Sequence, residues 1–215
     1  MLDMTYAGDK PGHLAVPMEA PATDVPVPRL PVVISTGHAR SVPAYTATAR
    51  VLHWLTAIVI LFMIPLGLVI SKDWGGSLQD FLYDLHRSIG ALIVPLILLR
   101  LLCRWAKPPS RLPDDIPAIQ RFAAHATHWL LYALLIGQPM VGWMATSAYG
   151  APIKVLGWFE LPPIWTEDRQ LAEQLFSIHR LIGLVIVGLV AAHIGAALFH
   201  HLVRKDRILM RMITG

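Results

Sequence analysis

Four apolar runs, at about Arg50–Ile70, Leu85–Trp105, Ala126–Ala148 and Ile178–Val203, constrain this chain more than any other feature. Each is close to the ~20 residues that a helix needs to cross the hydrocarbon core of a bilayer. Backbone polar groups find no water there and must be satisfied within the segment, so such runs fold as helices. With 55% hydrophobic and 15% charged residues, the chain is too apolar for an ordinary soluble domain. The expected fold is an all-α membrane protein: a four-helix transmembrane bundle over residues 45–215, in contact with the lipid bilayer. Residues 1–44 carry Pro11, Pro17, Pro21, Pro26, Pro28, Pro31 and Pro43 with little periodicity, the pattern of a disordered tail. This stretch also lacks the basic start and apolar centre of a secretory signal, so the first helix is expected to direct insertion.

The charges set an orientation. The link between the second and third runs carries Arg104, Lys107, Arg111 and Arg121, and the C-terminus carries Arg204, Lys205, Arg207 and Arg211. The other two links are acidic or mixed, with Lys72, Asp73, Asp80 and Asp84 in one and Lys154, Glu160, Glu167, Asp168, Arg169 and Glu173 in the other. Positive-inside bias places both termini in the cytoplasm. The net charge of +4 is therefore a topology signal, and no nucleic-acid partner is expected. Trp54, Trp105 and Trp129 near one set of helix ends, and Trp74, Trp158 and Trp165 near the other, suit interfacial belts. Pro65, Pro95 and Pro139 fall inside spans. The link from Tyr149 to Glu173 is long for a bundle connection and predicts a folded cap over the periplasmic end.

Histidine is the residue type these spans do not need. An imidazole in hydrocarbon is costly unless it is paired or bound. His179 and His193 stand fourteen residues apart on the last span, which returns them to nearly one face and separates them by ~21 Å along the helix. Counting from helix ends, His53 lies at the depth of His193 and His86 at the depth of His179. Two depth-matched pairs point to two haem groups, each with two axial imidazoles. Such sites leave no open position for oxygen or substrate, and so favour electron transfer. Cys103, the sole cysteine, excludes both an internal disulfide and the C-x-x-C-H attachment of c-type haem, so the haem is of b type.

Arg87 and Arg180 follow two of these histidines and offer planar forks to haem propionates, or equally serve as interfacial anchors. His125 and His128 are alternatives to His53 as a ligand, or lie near a quinone. His200 continues the His193 stripe and could reach a quinone carbonyl or snorkel to the interface. His201 reads as an interfacial base, and His13 and His38 as solvent-exposed. Gly183, Gly188, Ala191, Ala192 and Gly195 give the last span a small surface for helix packing or for a flat macrocycle. Zinc is disfavoured because the two pairs lack Cys or carboxylate partners to close tetrahedral sites.

These residues resemble a known family, the bacterial cytochrome b561 and nickel-hydrogenase b-type cytochrome group. The resemblance rests on His53-Trp54-Leu55, Leu85-His86-Arg87-Ser88-Ile89-Gly90, Ile178-His179, Ala192-His193, Leu198-Phe199-His200-His201 and the Arg207-to-Met212 ending. It covers about Tyr45 to Gly215. It implies a bacterial inner-membrane protein with two b haems, the cytoplasmic one on His53 and His193 and the periplasmic one on His86 and His179. His128 and His200 match family histidines near the proposed quinone end. Within the group the sequence is similar to the superoxide oxidase type, which implies an oxidoreductase passing electrons from periplasmic superoxide to ubiquinone. The alternatives are a non-enzymatic haem b relay or anchor subunit for a dehydrogenase or soluble cytochrome, and a metal-ion transporter.

Overall fold

The computed structural model describes residues 45–72, 75–108 and 116–214. The N-terminal tail with His13 and His38, and Asp73, Trp74 and Arg111 in the links, lie outside the described residues. The elements in chain order are α1 (Ala47–Ile70), α2 (Gly76–Ala106), α3 (Ala118–Tyr149), β1 (Ile153–Val155), β2 (Phe159–Leu161), α4 (Arg169–Leu202) and α5 (Ile208–Ile213).

Local sequence sets the helix ends. Thr46 caps α1 by accepting from the Ala49 N–H at 3.2 Å, and Asp168 caps α4 by accepting from the Leu171 N–H at 3.0 Å. Gly150 ends α3 in the left-handed region at φ 80°, where a side chain would be strained. The helices α2, α3 and α4 begin at Gly76, Ala118 and Arg169, well before the apolar runs at Leu85, Ala126 and Ile178. Hydrophobicity marks where a span enters hydrocarbon. The backbone ladder runs on through polar turns such as Gln79 to Asp84 until a cap stops it.

All four long helices have the length and apolarity to cross a membrane. Their outward faces carry Ile58, Leu61, Phe62, Leu98, Leu102, Leu181 and Leu184 in exposed positions, and α4 buries only Ala172 and Ile186. So much apolar surface would drive aggregation in water and is a lipid-facing surface in a bilayer. The chain is a four-helix membrane protein, as expected. Pro65, Pro95 and Pro139 lie inside α1, α2 and α3 without ending them.

The main helix packing runs α1 on α2, α2 on α3 and α3 on α4. Its core is Ile60, Met63, Leu66 and Ile70 of α1, Ile93 and Ile97 of α2, Tyr132 and Leu135 of α3, and Ile186 of α4. Ile97 is fully buried. Helix α4 contributes one residue to this core, and it meets α1 and α2 across pairs of histidine rings.

The link after α3 does fold into a cap. The strands pair antiparallel in the register Ile153↔Leu161, Lys154↔Glu160 and Val155↔Phe159. Leu156 and Gly157 make the turn with φ of 50° and 75°, closed by the Trp158 N–H to the Val155 carbonyl at 3.0 Å. The hairpin is pinned to α2, where Ser88 Oγ accepts from the Leu156 N–H at 2.7 Å and Arg87 Nη1 donates to the Pro152 carbonyl at 3.1 Å. We call this the hairpin end of the bundle.

At the opposite, terminal end, α5 is an element that the sequence pattern does not predict. It reaches back to α1, where Trp54 Nε1 donates to the Met212 carbonyl at 3.0 Å and the Arg211 guanidinium lies 5.3 Å from the Tyr45 ring centroid. The start of α1 and the end of the described chain thus meet at one end of the bundle.

Candidate functional site

Antiparallel helices bring residues together when their depths match, and the histidines meet this way. At the hairpin end, His86 of α2 faces His179 of α4 with ring centroids 6.2 Å apart and planes at 76°. At the terminal end, His53 of α1 faces His193 of α4 with the same 6.2 Å separation and planes at 59°. Metal–imidazole bonds of ~2.0–2.1 Å, with the ring radius added on each side, place two axial imidazole centroids about 6 Å apart. Both pairs therefore have the spacing of two rings sharing one metal ion. Among the described residues, no group of three or more His, Cys, Asp or Glu could hold a free metal ion. The donor sets are imidazole pairs, which suit haem iron better than a closed zinc site.

The rings at the hairpin end are fixed by their neighbours. His179 Nδ1 lies 3.1 Å from the Gln138 carbonyl, which can only accept, so Nδ1 carries the proton and Nε2 presents its lone pair. That is the tautomer a metal ligand needs. Gln138 Nε2 donates in turn to the His179 carbonyl at 2.8 Å. Two glycines make room. A Cβ on Gly142 would stand 3.0 Å from His179 Cε1, and one on Gly67 would stand 3.3 Å from His86 Cε1. His86 Nδ1 is buried without a hydrogen-bond partner, so packing alone orients that ring.

The terminal end is more crowded. His128 of α3 donates from Nδ1 to the Ala124 carbonyl at 2.7 Å, and its ring lies 5.2 Å from that of His193. This is closer than two metal–nitrogen bonds allow, whereas the His53 spacing fits. His125 is exposed, so of these two neighbours only His128 enters the site. Arg100 Nη2 donates to His53 Nδ1 at 2.8 Å and stacks 5.3 Å from the Tyr132 ring centroid. A guanidinium cannot accept, so His53 Nδ1 is unprotonated in this arrangement. Were Nε2 of a neutral His53 to hold iron, the proton would sit on Nδ1 and Arg100 would have to leave it.

The remaining candidates have other contacts. Arg87 Nη2 donates to Asp84 Oδ1 at 3.0 Å while Nη1 holds the hairpin, and Arg180 Nη2 donates to Ser177 Oγ at 3.1 Å. His200 pairs with Asp206 through Nδ1 at 2.5 Å. On α4, Gly183 packs near Gln138, with Nε2 3.3 Å from where a Cβ would stand, whereas Gly188 and Gly195 have nothing within 4 Å. Sequence reasoning missed Arg100, Gln138, Gly67, Gly142 and Asp206. A signal existed for Arg100, since a charged residue inside an apolar run is a functional candidate. For Gly67 and Gly142 the signal was a lone glycine at the depth of a histidine.

The family model for prokaryotic cytochrome b561 matches residues 44–215. Cytochrome b561 homolog 2 of Escherichia coli (strain K12) is 33% identical over 171 residues, covering 79% of this chain and 90% of the relative. Cytochrome b561 homolog 1 of the same organism is 31% identical over 174 residues, covering 79% and 96%. A protein named probable superoxide oxidase CybB from Yersinia pestis is 29% identical over 164 residues, covering 75% and 91%. With a family match spanning all the described residues, the chain belongs to the prokaryotic cytochrome b561 family, membrane proteins that transfer electrons with b-type haem.

Proposed function

We propose that the chain is a di-haem relay of the bacterial inner membrane, carrying electrons from a periplasmic donor to a quinone near the cytoplasmic face. His86 and His179 hold one haem b at the hairpin end, and His53 and His193 hold the other at the terminal end. Bound there, haem iron supplies one-electron chemistry by cycling between ferric and ferrous states. The terminal end faces the cytoplasm, as the Arg and Lys of the α2–α3 link and C-terminus favour. The observation that carries the proposal is the repetition of one 6.2 Å ring spacing at both ends of a single bundle.

The protein's own residues orient and exclude. Gln138 and Gly142 fix His179, the hairpin covers the periplasmic end, and Arg87 and Arg180, each next in sequence to a histidine of the pair, are the guanidinium groups that would serve haem propionates. At the other end, His200 and His128 are the imidazoles available to hydrogen-bond the quinone carbonyls. Superoxide is the donor suggested by the name of the Yersinia relative, which makes the chain an oxidoreductase of superoxide:ubiquinone type. Lys72, Arg87, Lys154, Arg169 and Arg180 are the cations that would draw that anion in, against a field weakened by Asp73, Asp80, Asp84, Glu160, Glu167, Asp168 and Glu173 in the same links.

The test is a reduced-minus-oxidised visible spectrum with haem-to-protein ratio for the parent, His86→Ala and His193→Ala. Two b haems in the parent, with a different one lost in each variant, support the relay. A folded protein without haem sinks it. Superoxide loss no faster than spontaneous dismutation, with haem and quinone present, removes the superoxide assignment and leaves the relay.

A second reading, a non-enzymatic relay or anchor subunit, has support from the α3–α4 link, where Trp158 is 87% exposed and Phe159 and Trp165 are exposed as well. Such aromatics suit docking of a dehydrogenase or soluble cytochrome. Haem reduction only in the presence of a partner recovered in mild detergent would favour it.

A further inference from the structure

We propose that Asp206 is a positioning residue for proton delivery to the quinone, acting through His200. This rests on the quinone reading above and adds to it a residue outside the spans. Lys205 turns the chain at φ 55°, and the Asp206 N–H donates to the His200 carbonyl at 3.1 Å, which brings the carboxylate back against the end of α4. Its two oxygens then do different things. Oδ1 accepts from the Ile208 N–H at 3.1 Å and starts α5. Oδ2 lies 2.5 Å from His200 Nδ1, with Arg204 Nε 3.5 Å away.

One oxygen serves the start of α5. The second oxygen is spent on an imidazole, in a half-buried pair whose side chains are 15% and 20% exposed. Because a carboxylate accepts, His200 Nδ1 carries a proton and the ring's orientation is fixed, so that Nε2 is the nitrogen left to carry an exchangeable proton toward a carbonyl. His200 stands seven residues beyond His193, two turns along the same face of α4. The far end of α5 is tied to α1 by Trp54 and Met212, so the carboxylate sits on an element anchored at both ends.

Reduction of a quinone to a quinol adds two electrons and two protons, turning each C=O into C–OH. The electrons come from two molecules of the one-electron donor, each oxidised once. The step starts from the imidazolium, protonated at both nitrogens beside the Asp206 carboxylate: His200 gives the Nε2 proton to one carbonyl oxygen and becomes the neutral Nδ1–H tautomer, and the other oxygen takes its proton from water at the same face. Departure of the quinol opens Nε2 to water, which returns the proton. Asp206 keeps Nδ1–H throughout and holds the ring.

The experiment uses the full-length haem-loaded protein in nanodiscs, reduced with stoichiometric dithionite and mixed anaerobically with decylubiquinone. Haem reoxidation is followed by visible absorbance. Asp206→Asn retains an acceptor for Ile208 and loses the anionic partner of His200. It is expected to slow reoxidation at saturating quinone by roughly 10- to 100-fold, with an unchanged haem spectrum, little change in the half-saturating quinone concentration and a larger solvent deuterium isotope effect. Asp206→Glu should recover most of the rate, and Asp206→Asn should add nothing in a His200→Gln background. A parent rate in Asp206→Asn overturns the proposal and leaves the quinone reading standing. A further slowing in the His200→Gln background also overturns it, because Asp206 would then act by shaping α5. If quinone fails to reoxidise the parent protein, the quinone reading falls and this proposal with it.

Discussion

His179 and Gln138 hold each other twice, through the His179 Nδ1–H to the Gln138 carbonyl at 3.1 Å and the Gln138 Nε2–H to the His179 carbonyl at 2.8 Å. One ring of the hairpin-end pair is therefore held by hydrogen bonds, while its partner His86 has none at Nδ1 and is held by packing, which yields more easily. The two glycines beside them should respond differently to the same methyl group. In Gly142→Ala the new Cβ stands 3.0 Å from a ring that cannot yield; in Gly67→Ala it stands 3.3 Å from one that can. Gly142→Ala is expected to lose most of one haem per chain, and Gly67→Ala to keep both with a shifted absorption band. Haem-to-protein ratios and low-temperature spectra of the two variants check this; equal loss would show that the hydrogen bonds do not fix His179.

The Arg100 guanidinium beside His53 is a half-buried positive charge in the same half of the bundle as the His53–His193 pair. A positive charge favours the reduced form of a nearby redox centre. Arg100→Met should lower the midpoint potential of one of two haems by tens of millivolts, on the order of 1–2 kcal/mol at an effective dielectric near 20. A potentiometric titration of parent and variant reads it. An unchanged pair of midpoints would place Arg100 away from the centre once haem is bound.

Long-range features of the fold could be counted from the sequence, and short-range ones could not. Four runs near 20 residues fixed the spans, and a rise of ~1.5 Å per residue was enough to match His53 with His193 and His86 with His179 in depth. The ring pairs follow from that arithmetic because antiparallel helices leave little choice. The hairpin was legible only as a folded cap. Three-residue strands are too short for their alternation, Ile-Lys-Val and Phe-Glu-Leu, to stand out, and the turn is Leu156-Gly157 where Asn-Gly or Asp-Gly would have announced it. Helix α5 is six residues long, too short for a periodic signal. The contacts of Arg100 with His53 and Asp206 with His200 were hidden for a different reason. The first depends on which way a long side chain turns inside the bundle, and the second on a backbone bend at Lys205.

That turn also offers a stability test. Leu156 sits at φ 50° with its side chain 55% exposed, so it carries the steric cost of the left-handed region without much burial in return. Asparagine tolerates this conformation better. Leu156→Asn should raise the stability of the cap by about 1 kcal/mol, seen as slower proteolysis of the α3–α4 link and a higher melting temperature in detergent. A lower melting temperature would mean that the leucine side chain contributes packing that outweighs the strain.

His193 has two imidazole neighbours, and their distances separate a ligand from a bystander. The His128 ring is the closer, at 5.2 Å, but a metal ion between two rings needs centroids about 6 Å apart. Its Nδ1 is also already held by the Ala124 carbonyl of its own helix. His53 stands at 6.2 Å, the spacing repeated at the hairpin end. His53→Ala should therefore lose one haem per chain, and His128→Ala should keep both while weakening quinone-dependent reoxidation. Haem-to-protein ratios for the two variants, followed by anaerobic mixing with quinone, check both halves. Loss of haem in His128→Ala with retention in His53→Ala would exchange their roles, leaving Arg100 free to remain on His53 in the haem-bound protein.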